Sequence, residues 1–99
     1  MKNSELNRIK EILRIHSDFL RRNYHVKKIG VFGSVARGKQ QRQSDIDIMV
    51  DFLITPGFFK FISLERYLSR ILGRKVDLVT RRAIKPIIKR EILRDLTYV

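Results

Sequence analysis

Apolar residues recur every three or four positions along the first part of the chain and predict an amphipathic helix over residues 4–22. We interpret His16, on the apolar side, as a partly buried histidine, and His25 as a loop residue, because no second His or Cys stands at metal-ligand spacing. The apolar side of this predicted helix consists of Leu6, Ile9, Leu13, His16 and Leu20, widened by Ile12 and Phe19.

Three short runs predict β-strands at residues 26–32, 45–52 and 75–80. The second run alternates between apolar and mostly acidic residues, which is the pattern of a strand with one buried face. One predicted face carries Ile46, Ile48, Val50 and Phe52, and the other carries Asp45, Asp47, Met49 and Asp51.

Turn and capping residues predict the elements between these strands. Residues 33–34 end the first strand, a short helical turn follows at 35–37, and residues 38–43 form a polar loop. Thr55 and Pro56 are typical of an N-cap and a first helical residue, and they predict a helix that ends at about Leu72, before Gly73. The apolar side of this predicted helix carries Phe58, Phe61, Ile62, Leu68, Ile71 and Leu72. A last helix is predicted to begin near Pro86.

The predicted order is helix, strand, strand, helix, strand, helix, and the fold class is α/β (α+β). The most economical arrangement is a small mixed β-sheet with helices packed mainly on one face, which leaves the acidic face open. The 99 residues are enough for one modest core, so we expect a single domain over residues 1–99.

The excess of basic residues only slightly narrows the classes of molecule that the protein could bind. The chain has 22 Lys and Arg against 10 Asp and Glu, a formal net charge of +12. This charge would attract nucleic acid, an acidic membrane or an acidic protein. The sequence has no zinc finger, basic zipper or aromatic RNA-binding signature, so nucleic acid is not the favoured partner.

The sequence also lacks cysteine, a signal peptide and any apolar run near the roughly 18 residues that span a bilayer. Disulfide scaffolds, cysteine-ligated zinc sites and thiol catalysis are therefore excluded. We expect a soluble, cytoplasmic protein with no membrane partner.

Acidic residues on the predicted sheet are the first candidates for chemistry. Asp45 and Asp47 are two residues apart on one strand, so both carboxylates project from the same face with Cα atoms roughly 6.5–7 Å apart. Carboxylate oxygens are preferred ligands of Mg²⁺. Asp77 on the third strand could join them, and three such carboxylates could hold two metal ions about 3.5–4 Å apart for phosphoryl displacement.

A candidate phosphate site lies just upstream of this pair. Gly33 allows backbone amides to approach a phosphate closely, and the Ser34 hydroxyl could hold a phosphate oxygen. Arg37 or Arg42 would then neutralise charge. Taken alone, a Gly-Ser pair after a strand is more often a simple turn.

These two sites together resemble the signature of the DNA polymerase β-like nucleotidyltransferase superfamily, and in particular its minimal nucleotidyltransferase (MNT) group. Gly33-Ser34 is followed after ten residues by Asp45-x-Asp47, and Asp77 stands where a third carboxylate is expected. The resemblance implies the polymerase β-like fold.

The resemblance also implies a role for each matching residue. Gly33 and Ser34 would contact the phosphates of the nucleotide, with Arg37 as a further contact. Asp45 and Asp47 would bind both Mg²⁺ ions. Asp77 would bind the catalytic ion and help to activate the attacking hydroxyl.

Small MNT proteins act as antitoxins of HEPN-domain toxins, and some transfer AMP from ATP to a tyrosine of the toxin. The resemblance therefore implies an adenylyltransferase antitoxin that uses ATP and two Mg²⁺ ions. A macromolecular acceptor also suits the length of the chain, which leaves no room for a separate acceptor-binding domain. Phe58, Phe59, Phe61, Tyr67 and Tyr98 offer apolar area for such an interface.

Two alternatives remain open at this point. The domain could neutralise its toxin by stoichiometric binding alone, with incidental carboxylates. It could instead transfer nucleotides to RNA, which the net charge would favour, or to a small molecule such as an aminoglycoside, which would normally require a further domain. The choice of ATP over other nucleotides rests only on the resemblance.

Overall fold

A computed structural model describes residues 4–38, 45–84 and 86–99, without the side chains of 86–88. Most of the predicted 38–43 loop, with Arg42, lies outside the described residues. The elements are α1 (Ser4–Ile15), α2 (Ser17–Tyr24), β1 (Val26–Phe32), α3 (Gly33–Arg37), β2 (Ile46–Phe52), α4 (Phe58–Leu72), β3 (Val76–Thr80), a 3-10 turn (Arg81–Ala83), α5 (Pro86–Asp95) and β4 (Thr97–Tyr98).

The four strands form one mixed sheet in the order β3-β2-β1-β4. β1 is antiparallel to both β2 and β4, whereas β2 and β3 are parallel. Helix α4 connects the parallel pair, as a crossover connection requires. The predicted mixed sheet and all three predicted strands are confirmed, and β4 is an addition that the sequence pattern did not indicate.

One face of the sheet carries the main core. The apolar face of β2 lies against buried residues of α1, α2 and α4, so the predicted α/β class with helices mainly on one face is confirmed. Each leucine or isoleucine buried this way contributes about 1.5–3 kcal/mol. The residues of these four elements that belong to the core cluster are Ile9, Leu13, Leu20, Tyr24, Ile46, Ile48, Val50, Leu64, Leu68 and Leu72.

The opposite face of the sheet is covered in its middle. Met49 is buried although it lies outside the main core cluster, and it pairs with Gly30 of β1. A Cβ atom on Gly30 would lie 2.7 Å from Leu96 Cδ1, so the segment after α5 covers this part of the sheet. The expectation of a fully open second face was therefore wrong in its middle, because Leu96, between α5 and β4, packs over Gly30 there.

The first predicted helix is divided into two. The backbone of His16 leaves helical geometry, with φ −92° and ψ 5°, between α1 and α2. His16 is partly buried, as predicted, and its ring lies 2.7 Å from the hydroxyl of Tyr67 in α4. His25 ends α2 in the left-handed region, with φ 58°.

Helix α4 begins later than its sequence pattern predicted. Gly57, not Thr55, is the residue before the first turn, and its carbonyl accepts from the amide of Phe61 at 3.0 Å. Phe58 was expected on the apolar side, but it starts the helix and is exposed. Gly73 ends the helix with φ 73°, as predicted.

No helix in the described part of the chain is long and apolar enough to cross a membrane.

Candidate active site

The register of the parallel strand pair brings two of the predicted carboxylates side by side. Asp47 of β2 is the direct partner of Asp77 of β3, so both side chains project from the same face. Neighbouring strands lie about 4.8 Å apart, which sets the approximate separation of the two Cα atoms. Asp45 stands immediately before β2, and its carboxylate lies 3.8 Å from Lys75 Nζ.

The surroundings of Asp47 disfavour the charged form of its carboxyl group. Partial burial raises the pKa of the Asp47 carboxyl above its usual value of 3.8, and the charges of Asp77 and Asp45 raise this pKa further. The guanidinium of Arg37 opposes these effects and lowers the pKa. The three carboxylates, which we call the acidic cluster, therefore repel one another, and a bound cation would relieve the repulsion.

Gly33 lies directly against the acidic cluster. Its φ of +78° is in the left-handed region, where glycine alone is unstrained. A Cβ atom at this position would lie 3.0 Å from Asp47 Cγ and closer still to one of the carboxylate oxygens. Both the backbone conformation and the available space therefore require glycine here. The neighbouring Ser34 is the second residue of α3 and is half-buried.

Arg37 is held by a residue that the sequence analysis did not single out. Its Nη1 donates to Asp95 Oδ2 at 2.7 Å, and Asp95 is the last residue of α5. The Asp95 side chain is 18% exposed, whereas Arg37 is 48% exposed and so faces solvent with its remaining donors. No sequence signal marks Asp95, because 58 residues separate the two partners.

Side chains of α4 fix the strand that carries Asp77. β3 is an edge strand, and its backbone amides on the free edge would otherwise lack partners in the sheet. The amide of Val76 donates to Ser69 Oγ at 3.0 Å, and the amide of Leu78 donates to Glu65 Oε2 at 2.9 Å. These contacts on either side of Asp77 hold it in register with Asp47.

The acidic cluster does not by itself supply a complete set of ligands for a metal ion. Among the described residues, no three Asp, Glu, His or Cys side chains are grouped so that they could hold one. Mg²⁺ usually binds through one or two carboxylates and completes its shell with water and substrate phosphates. The hard oxygen donors and the mutual repulsion at Asp47 fit such a partial site.

Comparison with known proteins identifies similar chains along nearly the full length. The nucleotidyltransferase domain family matches residues 13–99. A candidate protein adenylyltransferase of Methanocaldococcus jannaschii is 54% identical over 95 residues, which cover 95% of this chain and 97% of the relative. The protein adenylyltransferase MntA of Thermococcus cleftensis is 46% identical over 94 residues, which cover 95% of each chain.

Solved structures share the same fold. A candidate minimal nucleotidyltransferase is 28% identical with a TM-score of 0.73, and the match covers 98% of this chain and 95% of that one. A toxin–antitoxin crystal structure with AMP-PNP contains a chain that is 25% identical with a TM-score of 0.69. That match covers 99% of this chain and 72% of the other.

Proposed function

We propose that this chain, which belongs to the nucleotidyltransferase domain family, is the adenylyltransferase antitoxin of a toxin–antitoxin pair. As a single domain over residues 1–99, it transfers AMP from ATP to a tyrosine of a HEPN-domain toxin and thereby silences the toxin. The observation that carries this proposal is the pairing of Asp47 with Asp77 on neighbouring strands, with Gly33 packed against Asp47. Similarity to protein adenylyltransferases along 95% of the chain supports the choice of reaction.

The acidic cluster is the proposed metal site. Asp45 and Asp47 would hold two Mg²⁺ ions, and Asp77 would share the catalytic one. When bound, Mg²⁺ neutralises the negative charge of the phosphates and lowers the pKa of the attacking hydroxyl. Two features of the residues support this assignment, namely their oxygen donors and the raised pKa of Asp47 in the absence of a cation.

The nucleotide would lie across Gly33 and Ser34, with Arg37 directed at its phosphates. Because Gly33 has no side chain, a phosphate can approach the backbone beside Asp47. Asp95 holds one guanidinium nitrogen of Arg37 and leaves the other donors for phosphate oxygens. These residues orient the α-phosphate for in-line attack, and orientation is the main contribution that a protein makes to this reaction.

The reaction balances as a simple displacement. The tyrosine oxygen forms a bond to the α-phosphorus of ATP while the bond between that phosphorus and the bridging oxygen breaks, and pyrophosphate leaves. Asp77 helps to remove the proton of the tyrosine hydroxyl. ATP as substrate is supported by a structural neighbour described as a toxin–antitoxin with AMP-PNP. Because ATP is a cytoplasmic nucleotide, we place the activity in the cytoplasm.

The test is a labelling experiment with the two proteins together. The chain would be co-expressed with the HEPN-domain protein encoded by the neighbouring gene and incubated with Mg²⁺ and ATP labelled on the α-phosphate. Label on a tyrosine of the partner is expected with the wild type and with Asp18→Asn, which changes an exposed carboxylate of α2. The Asp45→Asn/Asp47→Asn variant is expected to transfer none.

Two other outcomes of the labelling experiment would each support one of the alternative functions. No label, with the partner still inhibited by Asp45→Asn/Asp47→Asn, would establish a binding antitoxin without catalysis. Label on RNA instead of protein would indicate an RNA nucleotidyltransferase, the alternative that the net charge of +12 favours. Either result would overturn the proposed reaction.

A further inference from the structure

A cluster of exposed apolar side chains lies at the start of α4 and in the segment before it. Leu53 and Ile54 are each 60% exposed, Phe58 is 70% exposed and Phe59 is 85% exposed. We call these four residues the apolar ridge. In the described part of the chain, they are half of the exposed large apolar side chains, although they occupy only seven consecutive positions. Such a concentration is typical of an interaction surface.

The shape of the surface beside the apolar ridge suits an inserted side chain. The rings of Phe58 and Phe59 are in edge contact, with centroids 5.4 Å apart. They form one wall of a groove of about 730 Å³, which is lined further by Ile62, Ser63, Arg66 and Arg70. The groove is therefore apolar at the ridge and cationic at its far side.

The apolar ridge is separate from the acidic cluster. Asp47 lies near the start of β2, whereas Leu53 directly follows the end of this strand. Six residues of extended chain correspond to about 20 Å. A molecule on the ridge therefore leaves the acidic cluster open, and the ridge is not needed to bind a nucleotide.

Charge identifies the kind of molecule that fits. Between positions 53 and 72 the chain has three cations, Lys60, Arg66 and Arg70, and a single acid, Glu65, which is engaged with the amide of Leu78. A second copy of the chain would bring another +12 charge against this surface. An acidic protein surface with apolar side chains is complementary to it.

We infer that the apolar ridge and its flanking arginines are the docking surface for an acidic face of the partner protein. The inference rests on the proposed function, in which the partner is the toxin that receives AMP. Docking on the ridge leaves the acidic cluster open, so that a tyrosine of the docked partner can reach the nucleotide there. Because Phe59 is the most exposed of the four, it is the expected anchor of the contact.

Affinity for the purified HEPN-domain protein of the neighbouring gene is the quantity to measure, by titration calorimetry with the full chain. Phe59→Ser is expected to weaken binding about 30-fold, as loss of an interface anchor does. Arg66→Glu is expected to weaken it about 10-fold and to make it less sensitive to salt. Ile15→Ser is the matched control, because Ile15 is 69% exposed but lies on α1.

A second measurement separates this inference from the proposed function. Phe59→Ser is expected to bind the Mg²⁺ complex of ATP as tightly as the wild type does. If Phe59→Ser binds the partner as tightly as the wild type does and still transfers label, the proposed docking surface is wrong, while the proposed adenylyltransferase activity is unaffected. If the wild-type chain neither binds nor labels the partner, both the docking surface and the proposed function are wrong. If the wild type sediments as a dimer and Phe59→Ser sediments as a monomer, the apolar ridge binds a second copy of the chain, which would contradict the inference.

Discussion

The two faces of strand β2 differ in burial and in charge. Asp47 and Ile48 are adjacent residues, yet Ile48 is fully buried beneath the helices while Asp47 faces two other carboxylates. On the Ile48 face, every side chain that is removed from water stabilises the fold. On the Asp47 face, the charges oppose one another and destabilise it. At the start of β2, adjacent positions therefore serve stability and chemistry separately, whereas Met49, which lies on the same face as Asp47, is buried.

A second contrast follows from how each face is held. The core face depends on many interchangeable apolar contacts, whereas the acidic face depends on a few specific ones. Ser69 and Glu65 fix the edge strand, Asp95 holds Arg37, and Gly33 makes room for Asp47. Substitutions on the core face should therefore mainly change stability, and substitutions on the acidic face should mainly change activity.

Removing one charge of the acidic cluster should abolish activity without unfolding the protein. Asp47→Asn is expected to reduce AMP transfer on the order of 10³-fold, because a metal ligand and charge partner is lost. Its free energy of unfolding should equal or exceed that of the wild type. Transfer assays with urea unfolding test both points, and a variant that keeps a tenth of the activity would contradict the assignment.

The adjacent substitution on the core face should show the reverse behaviour. Ile48→Ala is expected to lower the free energy of unfolding by about 3 kcal/mol, since it leaves a cavity in a fully buried site. Ile48→Val, the matched control, should cost about 1 kcal/mol. Below the melting temperature, the folded fraction of both variants should keep near-wild-type transfer. Direct loss of activity in a fully folded Ile48→Ala sample would show that the two faces are coupled.

Two glycines with nearly the same backbone conformation test how tightly Gly33 packs on the acidic cluster. Gly33 has φ +78° and Gly73 has φ +73°, but nothing lies within 4 Å of a Cβ atom on Gly73. Gly73→Ala should therefore cost only about 1–2 kcal/mol of stability, for the left-handed backbone. Gly33→Ala should cost about 1 kcal/mol more and also reduce transfer, because its methyl group displaces the Asp47 carboxylate. Equal stability and equal activity in the two variants would refute a close contact at Gly33.

Breaking the Arg37–Asp95 ion pair is expected to have a smaller effect, and this effect should be on nucleotide binding. Asp95→Asn is expected to raise the KM for ATP about 3–10-fold with little change in kcat, because Arg37 loses its charged anchor. In an Arg37→Gln background, the same substitution should have no further effect on KM. An unchanged effect in that background would mean that Asp95 acts by another route. Asp18→Asn, which breaks an exposed ion pair on α2, is the control.

The smallest effect is the pH dependence that Asp47 gives to stability. Because the pKa of Asp47 is raised in the folded state, its contribution to stability is present below pH 3.8 and is lost as the pH rises through the folded value. Asp47→Asn should therefore gain stability relative to the wild type as the pH rises, in metal-free buffer. Urea titrations between pH 3 and pH 7 measure this difference. Added Mg²⁺ should reduce it, and a difference of the opposite sign would contradict the repulsion within the cluster.

Much of the fold and part of the site could be predicted from the sequence. The alternation along β2 predicted its apolar face correctly, and Gly73 marked the end of α4. The break at His16 and the late start of α4 could not be predicted in the same way, because each depends on a distant group or on competing local caps. The placement of Phe58 was wrong for a similar reason. Helical periodicity assigns a residue to a side of the helix, but it does not indicate how far the neighbouring elements extend.

Local sequence patterns specified β1, β2, β3 and most of the helical segments, together with the apolar face of β2 and the residue types available for phosphate and metal chemistry. These properties follow from steric rules that act over a few residues. Only the tertiary structure decided that Asp77 lies beside Asp47, that Asp95 holds Arg37 and that Phe58 and Phe59 remain uncovered. These arrangements join residues that are far apart along the chain. Their free energy arises from packing of the whole domain, which no local pattern specifies.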